Sequence, residues 1–297
     1  MNKLMQAQVL KIDGWMKQNA RPYDLAKWNF LFGKGTKEDI VTELLKYQNE
    51  DGGFGNGLEA DILLPHSSAI STAEAIFQAY EYGLDCTAEW FSKKMLKYFE
   101  NTVQDIPKYW EDMPKEVIDY PHAPWWGYDV HAKFSPNPCA VVASALILYG
   151  TDKQKALGEK IAKKCFELLL GEDFCGDHDC YNIMALIEKT GIKDDNIISA
   201  MKRRIAENVC YEKDRWSEYV AQPLDFVFGP DSMWYECVKE GVPANFDYWL
   251  ENINEQGVWE PNFSWGQDTD ISKQVTKNWT GYLAVKRVKI FMNYGLI

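Results

Sequence analysis

Pro138-Cys-Ala-Val-Val-Ala-Ser-Ala-Leu-Ile-Leu-Tyr149 carries no charge, and Gly150 closes it. Asp152 to Leu170 then places Ala156, Leu157, Ile161, Ala162, Cys165, Phe166 and Leu169 at helical spacing, with Lys and Glu between them. The first stretch predicts a helix apolar on every side, which is stable only when buried on every side. The second predicts a helix with one wet face. Gly150 reads as the stop between them, because Gly takes the left-handed C-terminal conformation without a Cβ penalty.

The same unit recurs outward from this stretch. Glycines at 33, 83, 150, 191, 241 and 295 close six candidate dry helices, at about 23–32, 68–82, 137–149, 179–190, 231–240 and 279–294. Three of these ends read Tyr-Gly. Steps of 50, 67, 41, 50 and 54 residues leave room for a second helix in each interval. Wet helices are placed at about 3–19, 36–49, 86–103, 152–170, 194–209 and 244–253. Six wet helices alternating with six dry ones predict an all-α chain. Its expected architecture is an (α/α)6 toroid of outer amphipathic and inner apolar helices, one domain over residues 1–297.

Composition narrows the function. Lys plus Arg is 32 against 44 Asp plus Glu, a net charge of −12. A nucleic-acid partner needs a basic face and is not expected. No apolar run approaches a membrane span, and Met1 to Leu10 has no signal-peptide core, so a cytoplasmic protein is expected. Seven Cys without a CxxC pair read as free thiols.

Connections from dry to wet helices are short, whereas those from wet to dry are long: 50–67, 104–136, 171–178, 210–230 and 254–278. In a toroid the long ones share one rim. All four His and six of the 12 Trp fall on these loops or their edges. The richest reads Tyr120-Pro-His-Ala-Pro-Trp-Trp-Gly-Tyr-Asp-Val-His131. Prolines and adjacent indoles make a stiff wall of Trp125, Trp126 and Tyr128. His122, Asp129 and His131 supply groups for proton transfer. Glu59, Asp61 and His66 on the preceding long loop are expected to face it. Aromatics beside carboxylates suit a carbocation or isoprenoid chain through cation–π attraction, or a sugar ring through stacking and paired-carboxylate cleavage.

Tyr47-Gln-Asn-Glu-Asp-Gly-Gly-Phe-Gly55 resembles the glycine-rich repeat of terpenoid cyclases and protein prenyltransferase β-subunits, the squalene oxidase repeat. Asn254-Glu-Gln-Gly-Val-Trp259, followed by Trp265, is similar to a second copy without the leading Gln. The resemblance implies an α/α toroid and an apolar, isoprenoid-like ligand. For a prenyltransferase it implies zinc held by Asp173, Cys175 and a later His; no His follows His178, so that ligand set is incomplete and no cofactor is expected, with a zinc site of another arrangement left open. For a cyclase it implies an acid from an Asp-x-Asp-Asp motif. Asp177-His-Asp179 and Asp268-Thr-Asp270 match this without the final Asp. On that basis Asp177 or Asp179 is the candidate acid, with Asp129, His122 and His131 assisting. Trp125, Trp126, Tyr128, Trp265, Glu59, Asp61, His66, Asp268 and Asp270 would contact the ligand. Two other readings stay open, a carbohydrate-active (α/α)6 enzyme and a non-catalytic binding scaffold.

Overall fold

The computed structural model describes residues 1–104, 108–129, 133–174 and 176–297. Among these residues the chain is all-α, with isolated bridges and no strand. In chain order the helices are α1 (Gln6–Asn19), α2 (Pro22–Leu31), α3 (Lys37–Leu44), α4 (Ala69–Tyr82), α5 (Leu96–Thr102), α6 (Pro136–Tyr149) and α7 (Asp152–Leu170). They continue with α8 (Gly176–Thr190), α9 (Asp195–Asn208), α10 (Pro223–Phe226), α11 (Tyr235–Val238), α12 (Val242–Glu251) and α13 (Asp270–Asn293). Short 3-10 turns occur at Leu45–Tyr47, Lys115–Asp119 and Lys213–Arg215.

The charge-free stretch is α6. Its residues from Pro138 to Leu146 are all buried, and it packs on α4, α7 and α8. Being covered on several sides is the physical reason it carries no charge. Thr151 opens α7 with a capping box to Gln154, and Ile161, Ala162, Cys165 and Leu169 form its buried face. Gly150 stops α6 in a different way from that expected. Its φ is −82°, so no left-handed turn is made. Space is what requires glycine there, because a Cβ would strike the Leu146 carbonyl and the Gln154 side chain.

The chain divides into two compact units, Leu44–Arg204 and Met1–Glu43 with Ile205–Ile297. The second unit joins the chain ends. There α1 and α2 pack on α13, and Leu4 N donates to Leu296 O at 2.9 Å. Within α2, Asp24 is fully buried between Arg21 at 2.7 Å and Lys27 at 2.9 Å. Burial alone would raise the Asp24 pKa, but attraction to Arg21 and Lys27 outweighs it and holds the carboxyl below its usual range. The Lys27 ammonium also lies 4.3 Å from the Tyr23 ring centroid. Elsewhere in this unit buried Gln222 accepts from Asn245 Nδ2 at 2.7 Å and Trp249 Nε1 at 3.0 Å.

Three elements depart from the sequence expectation. The dry helix expected at 231–240 is the single turn α11, because turns at Gly229–Ser232 and Ser232–Tyr235 use the residues before it. The last helix begins at Asp270 instead of 279. Thr269 and Ser272 form a capping box there, and Ser272, Val275 and Asn278 turn inward along a stretch whose polarity disguises it. The helix expected from 86 starts as a π-helical segment, Trp90–Met95, after an Asp85–Thr87 turn.

Candidate functional site

The site is built in the unit Leu44–Arg204 on the glycine-rich turn at 48–55. Gln48 Nε2 donates to Gly52 O and Trp90 O, both at 2.9 Å. Gly52 has a φ of +90° and lies so close to the Lys94 carbonyl that a Cβ there would overlap it. Phe54 is buried, and its amide donates to Thr72 Oγ1 at 2.9 Å. The repeat therefore clamps one loop to neighbouring helices, and it fixes where residues 58–66 begin.

Those residues pair with the Pro- and Trp-rich loop. Leu63 N donates to Pro121 O at 3.0 Å, Ala123 N donates to Asp61 O at 2.9 Å, and Ile62 bridges His122. Asp61 is 1% exposed. Trp126 Nε1 donates to its Oδ1 at 2.8 Å, and the Glu59 and Trp125 side chains also bond to it. Burial raises the Asp61 pKa, and the bonds from Trp126, Glu59 and Trp125 only partly oppose this. Two acidic side chains sharing a hydrogen bond need a proton between them. Below lies an apolar floor of Ile62, Leu64, Ile70, Met113 and Val117, against which Tyr120, Trp126 and Tyr128 pack. His122 Nδ1 donates to Tyr120 O at 2.7 Å, and His66 stands edge-on to the Tyr120 ring.

Beside this pairing is a polar cleft lined by Lys108, Glu111, Asp112, Gly127, Asp129, Lys133, Ser135 and Cys139, with Trp110 and Met113. Its cavity measures about 30 Å³, room for roughly two waters. Tyr128 Oη donates to Glu111 Oε1 at 3.3 Å, and Lys108 Nζ to Asp129 O at 2.7 Å. On the α6 side, Asp179 at the start of α8 accepts from Ser135 Oγ at 2.6 Å and Asn137 N at 3.1 Å. Asp179 is buried, which raises its pKa against those two bonds. Asp112 is exposed at the edge of the cleft, and desolvation of its carboxyl by the surrounding protein pushes its pKa up to about 6. Lys108 opposes that rise, whereas the charges of Asp179 and Glu111 add to it. An acid poised near 6 beside further carboxylates is the pattern of general acid–base chemistry.

No family model matches the chain, and neither a curated protein nor a solved structure does.

The structure thus joins Glu59 and Asp61 to Trp125 and Trp126, and sets His66 and His122 about Tyr120. Tyr128 and Asp129 border the cleft, with Asp179 behind Ser135. Asp177 accepts from His178 N and Tyr181 Oη. His131 lies outside the described residues, as does Cys175 of the zinc-type pair. No group of three His, Cys, Asp or Glu that could hold a metal occurs among the described residues. Trp265, Asp268 and Asp270 belong to the other unit. There Asp268 is exposed and pairs with Lys273 at 2.8 Å, Asp270 opens α13 exposed, and the half-buried Trp265 leaves its indole N–H without a partner. Three further loop indoles are core. Trp110, Trp216 and Trp259 are buried and donate to backbone carbonyls. Sequence reasoning passed over Glu111, Asp112 and Ser135. The adjacent carboxylates after Trp110 were the signal for the first two.

Proposed function

We propose that the protein is an (α/α)6 toroid enzyme of the terpenoid cyclase and prenyltransferase type of architecture, acting by acid–base chemistry on a polar, sugar-like ligand in the Asp112 cleft. The packing of the first two helices on the last joins the chain ends within one unit, as that architecture requires. The observation that carries the functional reading is Asp112, a carboxyl raised to about 6 at the mouth of a cleft that also holds Glu111 and Asp129. Asp112 protonates the leaving oxygen, and Glu111 or Asp129 draws a proton from a water held in the small cavity. Trp125, 49% exposed at the adjacent lip, offers an indole face to a sugar ring.

A second reading, an isoprenoid-like ligand protonated by a buried acid, is favoured by Asp61, whose raised pKa and two indole neighbours fit that chemistry. The charged lining of the Asp112 cleft favours a polar ligand there over an isoprenoid chain. One screen separates the readings. Chromogenic glycosides and oligosaccharides are assayed at pH 5 to 7 alongside farnesyl and geranylgeranyl probes, using the intact protein and Asp112→Asn. Glycoside turnover lost in the variant supports the first reading. Binding of the isoprenoid probes alone supports the second, and binding of a sugar without turnover leaves a non-catalytic scaffold.

A further inference from the structure

The side-chain donors around the Asp112 cleft divide into two kinds. Every neutral one already has a protein acceptor. Trp110 Nε1 donates to Phe99 O at 3.1 Å, Ser135 Oγ to Asp179 Oδ1 at 2.6 Å, and Cys139 Sγ to Lys108 O at 3.6 Å. The two ammonium groups are different. Lys108, half-buried, spends one N–H on the neutral carbonyl of Asp129 at 2.7 Å. Lys133 is exposed and makes no hydrogen bond or ion pair among the described residues. Neither lysine pairs with Glu111, Asp112 or Asp129, although all five side chains line one cleft. Elsewhere in the chain lysines do close such pairs, as Lys153 with Glu100 at 2.8 Å and Lys286 with Asp225 at 2.9 Å.

A ligand entering this cleft therefore meets cationic donors. An ammonium carries three N–H donors, so Lys108 keeps two after its bond to Asp129 O. Its position is fixed by that bond, and its charge reaches the Asp112 carboxyl. Charge-assisted bonds to an anion are the strongest that such donors make. The carboxylates limit how much negative charge the cleft accepts. With Asp112 protonated, Glu111 and Asp129 balance the two ammonium groups, so one further negative charge is tolerated and two are repelled. A bound carboxylate also holds the proton on Asp112, because a like charge nearby disfavours ionisation. A sugar acid joins these requirements, since it brings a ring for Trp125, a glycosidic oxygen for Asp112 and a single carboxylate.

We infer that the cleft selects uronides, acidic sugars whose carboxylate seats on Lys108 and Lys133. The inference rests on the sugar reading of this cleft and names its substrate class. The test measures binding to the full chain by calorimetry at about pH 6, where uronates are ionised. The probes are glucuronate and galacturonate, their methyl esters, and glucose and galactose. The ester keeps the ring and removes the charge. At least one uronate is expected to bind about tenfold or more tightly than its ester, and to weaken as NaCl rises from about 20 to about 200 mM. Lys108→Met and Lys133→Met should each reduce that preference. An ester bound as well as its acid, no binding by about 50 mM of either uronate, or a preference unchanged in both variants would each overturn the inference. If Lys108→Met fails to fold, the exposed Lys133 variant and the ester comparison decide. Turnover of chromogenic glycosides and uronides is scored separately. Neutral glycosides cleaved as well as uronides would overturn the inference and leave the glycosidase reading standing. Uronates bound with the predicted preference, but no uronide cleaved, would support the inference and sink that reading.

Discussion

Asp112 and Asp24 are two aspartates moved in opposite directions by their surroundings, and each makes a testable difference. Asp112 binds its proton more tightly in the folded chain, with a pKa near 6 against 3.8 for a free side chain. Its contribution therefore favours the fold at low pH and fades as pH rises from about 4 to about 6. Asp112→Asn removes that slope. The melting temperature of the variant should gain on wild type across this interval and then run parallel above it, as thermal scans at stepped pH will show. As the general acid, Asp112 should also set the alkaline limb of turnover near pH 6, and the Asn variant should lose about 10²-fold or more. Asp24 is the reverse case. Its pKa is held down, so the stability it contributes is present above about pH 4 and is lost as pH falls through its folded value. Lys27→Met leaves this buried carboxylate with Arg21 alone and should cost about 3–5 kcal/mol in urea unfolding at pH 7.

Among the elements, the pairing of residues 58–66 with residues 120–126 hangs on one buried acid. Trp126→Phe keeps the ring in the apolar floor but deletes the 2.8 Å bond to Asp61. It should destabilise by about 1–3 kcal/mol, and exchange of the Leu63 and Ala123 amides should accelerate with it. A Trp126→Phe protein as stable as wild type, with those amides equally protected, would show that Asp61 does not hold the loops together. The elements themselves were legible where chemistry is local. The charge-free run from Pro138 and the alternating face from Asp152 gave α6 and α7 nearly to the residue, because burial on all sides and on one side leave different patterns. Legibility failed where a partner outside the helix decides. The polar start of α13 is a helix because Ser272, Val275 and Asn278 find buried neighbours. The segment before α11 looked helical until turns closed by Gly229 and Ser232 consumed it.

For the molecule as a whole, the thiols make the plainest prediction. Six cysteines are free among the described residues. A disulfide would add about 2–4 kcal/mol. Reductant should therefore leave the melting temperature within about 1 °C of its value without it, as differential scanning calorimetry can check. No helix among the described residues is long and apolar enough to cross a membrane. At this scale the sequence showed that long loops gather acids and aromatics, and the Glu59–Asp61 stretch does meet Trp125 and Trp126. It did not reveal Asp112, because the raised pKa comes first from desolvation by the folded protein and only then from the charges of Asp179 and the adjacent Glu111. The most direct measurement is therefore a pH titration of the Asp112 carboxyl carbon by ¹³C NMR in the intact protein. A midpoint of about 6 that shifts when a bound sugar closes the cleft is the predicted result. A midpoint near 4, indifferent to every sugar tried, would contradict the account.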